Sequence, residues 1–474
     1  MTGNTDLADF TATELLRAYR RKQASPVEAT LAALARIDRF DGAVNAFCFR
    51  DDATALAMAS ASEARWAKGE ANGLVDGIPT TIKDLYPSKG WPTLRGSRTV
   101  SKQQQWNEDH PSVASLRANG AVFIGKTTTP EFGWKGVTDS PLTGVTRNPW
   151  NTSKTPGGSS GGAAVAAALG MGTLHIGSDG GGSIRVPAGF TGIFGHKPTF
   201  GRVPAYPPSA FGTISHIGPM TRNVADAALM LTVMSQPGAH AWHALPHDGA
   251  DYRIGLENGV RGLKIAFSPT LGYAKVDPEV AAGVRAAVEV LAELGAVVIE
   301  RDPGLPDPIE TFDRHWFIPS AYVFGRMTPE QQALVDPGFR DVAELGAKLG
   351  AMDYMQAMSD RAHYGTAMSI FLDEFDLLIT PTLPVPAFDA GELVADKTTQ
   401  TRWTDWTPFS YPFNLTQQPA CSVPVGFTAA GLPIGMQIVA GKYRESLVLQ
   451  AARAYEAVHP FRMPTAPRVT HAGC

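Results

Sequence analysis

The chain has 474 residues, of which 44% are hydrophobic, so it can bury a large core in one large domain or in two to three smaller ones. Its 41 basic and 45 acidic side chains are well mixed and give a formal net charge of -4, which favours a small-molecule ligand over nucleic acid or a membrane surface. Three cysteines without close spacing exclude a disulfide framework and a cysteine-based metal site.

The N-terminal residues 1–70 are predicted to be mainly helical. A first helix is expected over 12–23, and a second begins with a capping box in which Ser25 is the N-cap and Glu28 the third helical residue. A third, polar helix is expected over 53–68. The first ten residues lack the basic and apolar pattern of a secretory signal, and no later apolar run is long enough for a bilayer. We therefore expect a cytoplasmic protein with no membrane partner.

The next part of the chain alternates short strands with helices. A strand over 77–82 is expected to end at Lys83, which places this lysine at a strand tip. Ser159 or Ser160 is expected to cap a helix of small residues, and Ser183 to open a further helical turn. The remaining predictions are a helix over 112–117, a strand over 121–124, a long loop over 138–156, a helix over 163–169 and a strand over 174–178.

The C-terminal half continues this alternation without a linker or an internal repeat. Residues 303–370 are more helical and irregular than their surroundings. The fold class predicted from the whole chain is one large α/β domain with a mixed, twisted sheet covered by helices on both faces. The elements predicted here are a strand over 263–267, a helix over 278–294, strands over 296–299 and 377–380, a hairpin over 421–425 and 434–439, and a closing helix over 445–458.

Two short motifs match patterns whose structural context is wrong. Residues 120–127 fit the phosphate-loop pattern GxxxxGK[ST], but the residues between its glycines are an apolar strand after a helix. Ser160 fits the nucleophile elbow GxSxG of α/β-hydrolases, which requires a strand just before it, whereas 151–156 is a polar loop. We interpret neither match as functional.

Three segments read together are more informative. They are GIPTTIKD around Lys83, TPGGSSGG around Ser159, and SDGGGSIRVPAG around Ser183, with the two serines 24 residues apart. In these segments the chain resembles the amidase signature family, hydrolases that use a Ser, cis-Ser, Lys triad. The resemblance weakens only between about residues 300 and 410. It continues in GAVFIGKTTTPEF, TGIFGHKPTFGR, GPMTR and the tail over 419–439.

The resemblance implies a catalytic assignment. Ser183 is the nucleophile, Ser159 the bridge after a cis bond from Gly158, and Lys83 the base, which has to be neutral and therefore buried. The loop around Ser183 is expected to be held by Ser160, Asp179 and Arg185. The family usually carries a branched or polar residue at position 180, a departure that bears on the stiffness of this loop. The expected oxyanion donors are the backbone NH groups of Gly180, Gly181, Gly182 and Ser183.

The expected reaction is hydrolysis of a small-molecule, linear, non-peptide amide by a monomer or homodimer, without cofactor or metal. The histidines at 240, 243 and 247 have helical spacing but lie in a Pro- and Gly-rich loop. A carbamate or ureide hydrolase, and an amidotransferase component that works only in a complex, remain alternatives. The implied organisation is one amidase domain over 1–474, with N-terminal helices in 1–70, a catalytic core in 74–225 and a variable substrate cover in about 300–410. The expected pocket residues are Phe132, Trp134, Tyr206, Phe211 and Trp316.

Overall fold

The computed structural model describes residues 6–238 and 240–470. The part of the signal-sequence prediction that rests on residues 1–5 lies outside them. The helices of the described residues are α1 (Ala12–Arg20), α2 (Pro26–Val44), α3 (Asp52–Lys68), α4 (Pro111–Ala118), α5 (Gly161–Ala168), α6 (Arg185–Thr191), α7 (Val224–Met234), α8 (Pro278–Glu293), α9 (Ile309–Gly325), α10 (Pro329–Leu334), α11 (Pro337–Ala347), α12 (Ala351–Asp373), α13 (Pro412–Leu415) and α14 (Glu445–Val458).

The strands form one large sheet and one small hairpin. They are β1 (Phe47–Arg50), β2 (Pro79–Lys83), β3 (Val122–Thr127), β4 (Asp139–Ser140), β5 (Gly144–Val145), β6 (Leu174–Asp179), β7 (Phe194–Lys197), β8 (His216–Thr221), β9 (Lys264–Phe267), β10 (Val297–Glu300), β11 (Leu377–Pro381), β12 (Ala420–Phe427) and β13 (Pro433–Ala440). The large sheet has 11 strands in the order β1-β3-β2-β6-β8-β7-β12-β13-β11-β9-β10, and β4 pairs with β5.

The sheet is mixed, as predicted. Strand β2 is parallel to both β3 and β6, and β9 is parallel to both β10 and β11. Between these two parallel groups, β6, β8, β7, β12, β13 and β11 pair antiparallel in that order. The predicted fold class, a single α/β domain with a mixed sheet flanked by helices, is confirmed.

Helices cover both faces of the sheet. On one face, α7 buries its apolar side chains in a large core that also contains Leu174 and Ile176 of β6. On the other face, α5 and α6 pack around Met220 of β8. Every residue of α5 is buried, which explains why this helix consists of glycine, alanine and one valine. No helix of residues 6–238 and 240–470 is both long and apolar enough to cross a membrane.

The local signals for helix boundaries were read correctly at α2. Ser25 accepts a hydrogen bond from the backbone NH of Glu28 at 3.2 Å, and the Glu28 carboxylate accepts one from the NH of Ser25 at 2.8 Å. The capping prediction at α5 was wrong. Ser160 is the N-cap residue, but its side chain makes no capping hydrogen bond because its hydroxyl contacts other groups.

The centre of the sheet positions the site. Because β2 and β6 are parallel, with Thr81 opposite His175, their carboxyl ends lie at the same edge. Lys83 is the last residue of β2, and Ser178 and Asp179 end β6. The chain then turns through 180–184 into α6, while Ser159 and Ser160 precede α5. All three motif segments therefore meet at one edge.

Candidate active site

Lys83 is fully buried among hydroxyl groups. Its Nζ lies within hydrogen-bonding distance of Ser159 Oγ at 2.7 Å, Ser160 Oγ at 2.9 Å and Ser178 Oγ at 2.8 Å. No carboxylate of the described residues forms an ion pair with it. Burial lowers the pKa of Lys83 well below its ordinary value, and the more distant Asp179 carboxylate opposes only part of this effect.

The hydrogen-bond partners around Lys83 fit a neutral amine. A neutral amine has two N–H groups and one lone pair, whereas an ammonium has three donors and no acceptor. Ser160 donates its hydroxyl proton to the carbonyl of Ser178 at 3.1 Å, so it can only accept from Lys83. The lone pair is then left for a proton from Ser159 or Ser178. This arrangement allows the lysine to act as a base through a neighbouring hydroxyl.

The two motif serines face one cavity. Ser159 is 1% and Ser183 7% exposed, and both line the same cavity. The bond between Gly158 and Ser159 is cis, as the resemblance implies. The NH of Ser160 donates to the carbonyl of Ser183 at 3.2 Å, which ties the two segments together. Within residues 6–238 and 240–470, no hydrogen bond joins the hydroxyls of Ser159 and Ser183, a contact that often forms only with bound substrate.

A buried ion pair holds the loop that carries Ser183. Asp179 and Arg185 are both fully buried and form a two-point contact, with Nη2 to Oδ1 and Nε to Oδ2 both at 2.9 Å. Burial alone would raise the pKa of Asp179, but the Arg185 guanidinium outweighs it and holds this pKa below its ordinary value. Arg185 also donates to the carbonyl of Ser410 at 2.9 Å, Gln437 at 2.7 Å and Asn414 at 2.7 Å. The loop is thereby attached to the C-terminal third of the chain.

The backbone NH groups of this loop have two different roles. Asp179 accepts hydrogen bonds from the NH groups of Gly182 at 2.7 Å, Ile184 at 3.2 Å and Arg185 at 3.4 Å. The expectation that Gly182 contributes to an oxyanion hole therefore needs correction, because its NH already serves the Asp179 carboxylate. The NH groups of Gly180, Gly181 and Ser183 make no backbone or side-chain hydrogen bond with the described part of the chain.

Aromatic rings pack directly against the glycines of the loop. A Cβ on Gly181 would lie 2.6 Å from both Phe312 and Trp403, so no larger residue fits there. A Cβ on Gly180 would lie 3.0 Å from the Trp316 ring. Gly180 does not have a positive φ, so its backbone conformation does not require glycine. We conclude that Trp316 takes the space that a larger side chain at position 180 would need, and that its ring supports the loop.

The cavity beside Ser183 has a volume of about 350 Å³ and mainly apolar walls. Phe211 stacks on Trp316, with ring centres 4.0 Å apart and planes 17° apart. Phe132 packs against Phe339 with ring centres 5.4 Å apart. Such a volume and lining suit a small ligand with an aromatic or other apolar group.

The structure confirms only part of the expected pocket. Phe132, Phe211 and Trp316 line the cavity, but Trp134 and Tyr206 do not. Trp134 is 2% exposed and packs behind the wall, where its carbonyl accepts a hydrogen bond from Trp316 Nε1 at 3.0 Å. Tyr206 packs against His240 in the loop after β7. Both residues are aromatic and near the site in sequence, but their side chains point away from the cavity.

Several residues at the site were missed from the sequence. Ser178 contacts Lys83 directly, and its position just before Asp179 in the serine motif was a usable signal. Val323 of α9 and Phe339 of α11 line the cavity. They come from the segment of weakest resemblance, where no motif marks them. Arg95 lines it too, and no pattern in its neighbourhood distinguishes it from a surface arginine.

The phosphate-loop match has a structural explanation. Lys126 lies in the buried strand β3, where it donates to Thr93 and to the carbonyl of Pro92 at 2.9 Å and pairs with Asp84 at 3.4 Å. Its Nζ is therefore not presented to a phosphate. The described residues contain no group of three or more His, Cys, Asp or Glu side chains placed to hold a metal ion.

Comparison with known proteins agrees with this geometry. The family model described as Amidase matches residues 28–449. An acylamidase of Rhodococcus erythropolis is 35% identical over 459 residues, covering 95% of this chain and 96% of that protein. The A component of the glutamyl-tRNA(Gln) amidotransferase of Myxococcus xanthus is 36% identical over 490 residues, covering 97% of this chain and 99% of that protein.

A solved structure gives the same result. The crystal structure of a bacterial aryl acylamidase belonging to the amidase signature family superposes with a TM-score of 0.89 at 30% identity, covering 95% of this chain and 96% of that chain. The fold and the motif segments thus define a hydrolase of α/β architecture, of the kind that acts on amides. This chain belongs to the amidase signature family.

Proposed function

We propose that the protein hydrolyses a small-molecule amide, with Ser183 as nucleophile, Ser159 as bridge and Lys83 as base. The observation that carries the proposal is the environment of Lys83, a fully buried amine that contacts three hydroxyls and no carboxylate. Such a lysine is neutral near neutral pH and can accept a proton. One of its three partners, Ser159, faces the same cavity as Ser183.

The proposed reaction has two stages. Ser183 Oγ attacks the amide carbon and forms a C–O bond, while its proton passes to Ser159 and the Ser159 proton to Lys83. The C–N bond then breaks, the relay returns a proton to the leaving nitrogen, and an amine is released. Water attacks the acyl-enzyme ester, gives one proton to the relay and releases the acid, and the relay reprotonates Ser183. Water is the only co-reactant.

The negative charge that develops on the amide oxygen needs donors. We assign this role to the NH groups of Gly180, Gly181 and Ser183, since that of Gly182 is taken by Asp179. The ion pair between Asp179 and Arg185 keeps these NH groups in place before the substrate arrives. One such donor contributes roughly 10²- to 10³-fold to the rate in comparable sites.

The substrate that we propose carries an aryl or other apolar group. The stacked rings of Phe211 and Trp316 offer a flat apolar wall to such a group. The relatives named acylamidase and aryl acylamidase support this choice. We further propose that residues 300–410 act as the substrate cover, because α9 and α11 contribute Trp316, Val323 and Phe339 to the wall.

Labelling tests the nucleophile. A fluorophosphonate probe is expected to modify Ser183, and mass spectrometry of the labelled peptide separates this serine from Ser159 and Ser160. The Ser183→Ala variant should neither take the label nor hydrolyse an aryl amide. Retained amide hydrolysis by this variant would contradict the assignment. A panel of aryl amides, alkyl amides, carbamates, ureides and esters then distinguishes an amidase from a carbamate or ureide hydrolase.

A component of an amidotransferase complex is the second candidate, supported by the 36% identity to the Myxococcus xanthus protein. A component of this kind would hydrolyse glutamine, and would do so efficiently only with its partner chains present. The purified chain by itself, assayed with glutamine and with an aryl amide, separates the two candidates. Efficient aryl amide hydrolysis by the isolated chain supports our first proposal.

A further inference from the structure

Arg95 stands apart from every other side chain of the cavity. It is the one Asp, Glu, Lys or Arg among the described residues that line it. It is exposed, and its guanidinium forms neither an ion pair nor a hydrogen bond with residues 6–238 or 240–470. Burial lowers the pKa of His110, another lining residue, to about 3, so that histidine is neutral at neutral pH. The fixed charge of the wall is therefore a single positive one.

The backbone that carries Arg95 is held in place on the side of the bridging serine. The carboxylate of Asp84 accepts hydrogen bonds from the NH groups of Leu94 at 3.2 Å and Gly96 at 3.3 Å. The carbonyl of Arg95 accepts one from Phe132 at 2.8 Å. Arg95 has a φ of 56°, an uncommon conformation for a residue with a side chain. These contacts fix the base of the side chain.

Asp84 does not neutralise Arg95. It is the acidic residue nearest in this loop, but it pairs with Lys126 at 3.4 Å and accepts the two loop NH groups. An arginine on a cavity wall with no acidic partner is suited to a ligand that brings the negative charge. The planar guanidinium matches a carboxylate with two parallel hydrogen bonds.

We propose that Arg95 binds a carboxylate of the substrate, so that the enzyme prefers amides carrying an acidic group in addition to their apolar part. The inference rests on the proposed function, because it assumes that the amide lies in this cavity next to Ser183. The carboxylate belongs to either the acyl half or the amine half of the substrate. Arg95 is thus a specificity-determining residue and takes no part in the proton relay.

Three matched substrates test the proposal. They are benzanilide, its analogue with a 4-carboxylate on the benzoyl ring, and its analogue with a 4-carboxylate on the aniline ring. One of the two acids is expected to show at least a tenfold higher kcat/KM than benzanilide, and its identity tells which half carries the charge. Arg95→Met should remove this advantage, about 10- to 100-fold for a charge-assisted pair, and leave benzanilide within about threefold.

Two further variants complete the kinetic test. Arg95→Lys keeps the charge without the planar fork and should retain part of the preference. Arg98→Met is the matched control, since Arg98 is an exposed arginine three residues further on that does not line the cavity. The control should behave as the wild type. An equal loss on all three substrates in Arg95→Met would show a structural role and overturn the proposal.

Binding measured without turnover separates this proposal from the proposed function. In the Ser183→Ala background, calorimetric titration with benzoate and benzamide should give tighter binding of benzoate, lost with Arg95→Met and weakened by salt. Equal binding of the two probes overturns the anion site, while hydrolysis of benzanilide through Ser183 would still support the amidase. Arg95-dependent benzoate binding in a protein that cleaves no amide supports the site and contradicts the proposed function.

Discussion

Replacing Asp179 by asparagine tests whether the buried ion pair organises the nucleophile loop. The change removes the charge and leaves the Arg185 guanidinium fully buried with only neutral acceptors, the Ser410 carbonyl and the side chains of Gln437 and Asn414. An uncompensated buried charge of this kind costs about 3–5 kcal/mol. The loss should be complete at neutral pH. Because the pKa of Asp179 is lowered in the fold, its contribution is present above the ordinary carboxylate range and is lost only as the pH falls through the folded value.

Urea unfolding followed by both circular dichroism and tryptophan fluorescence measures this cost, provided the two transitions coincide. The matched control is Glu300→Gln, which breaks the exposed pair of Arg285 and Glu300 at 2.9 Å, where the side chains are 52% and 55% exposed. It should cost less than about 1 kcal/mol. We also expect Asp179→Asn to lower kcat by at least about 10²-fold, the effect of losing one oxyanion donor. An Asp179→Asn variant that is as stable and as active as the control would refute the reasoning.

Three more predictions concern the relay and the cavity wall. Since burial lowers the pKa of Lys83, kcat/KM should rise with pH through the folded value and then level off, and Lys83→Met should lose this limb and about 10²- to 10⁴-fold of activity. Its stability should also lack the rise with pH that the wild type shows between the folded pKa and 10.5, because only the unfolded lysine holds its proton there. Ser159→Ala should abolish acylation by a fluorophosphonate, whereas Ser160→Ala should mainly shift the acidic limb of the pH profile; equal loss in both would contradict the bridging role. Gly180→Thr should displace the Trp316 ring and destabilise the protein, and Trp316→Ala in the same chain should relieve part of this cost, measured as a non-additive change in unfolding free energy.

The sequence predicted elements well where a strong local signal exists. The capping box of α2 and the Asp277 start of α8 were both read from residue type alone. Strands β7 and β8 were not predicted as strands. Their sequences FGHK and HIGPMT lack the β-branched alternation of a half-exposed strand, and they pair because they are buried on both sides within the sheet.

The site shows the same division. Lys83, Ser159 and Ser183 were brought forward by fixed spacing and neighbouring glycines, and the structure places them at one edge of the sheet. The direction of an aromatic side chain is not a property of local sequence, so Trp134 and Phe132 could not be told apart. The engagement of the Gly182 NH depends on where the Asp179 carboxylate turns. Arg95 became visible only when its surroundings showed no acidic partner.

The charges around the relay explain how a neutral lysine and an ionised aspartate share one buried site. A carboxylate with no other partner would stabilise the charged form of Lys83 and raise its pKa. Asp179 is instead paired at two points with Arg185 and accepts three backbone NH groups, so its field at Lys83 only partly opposes the effect of burial. Arg185 therefore acts on the base as well as on the loop. Removing the Arg185 charge while Asp179 stays ionised should raise the pKa of Lys83 and move the acidic limb of kcat/KM to higher pH.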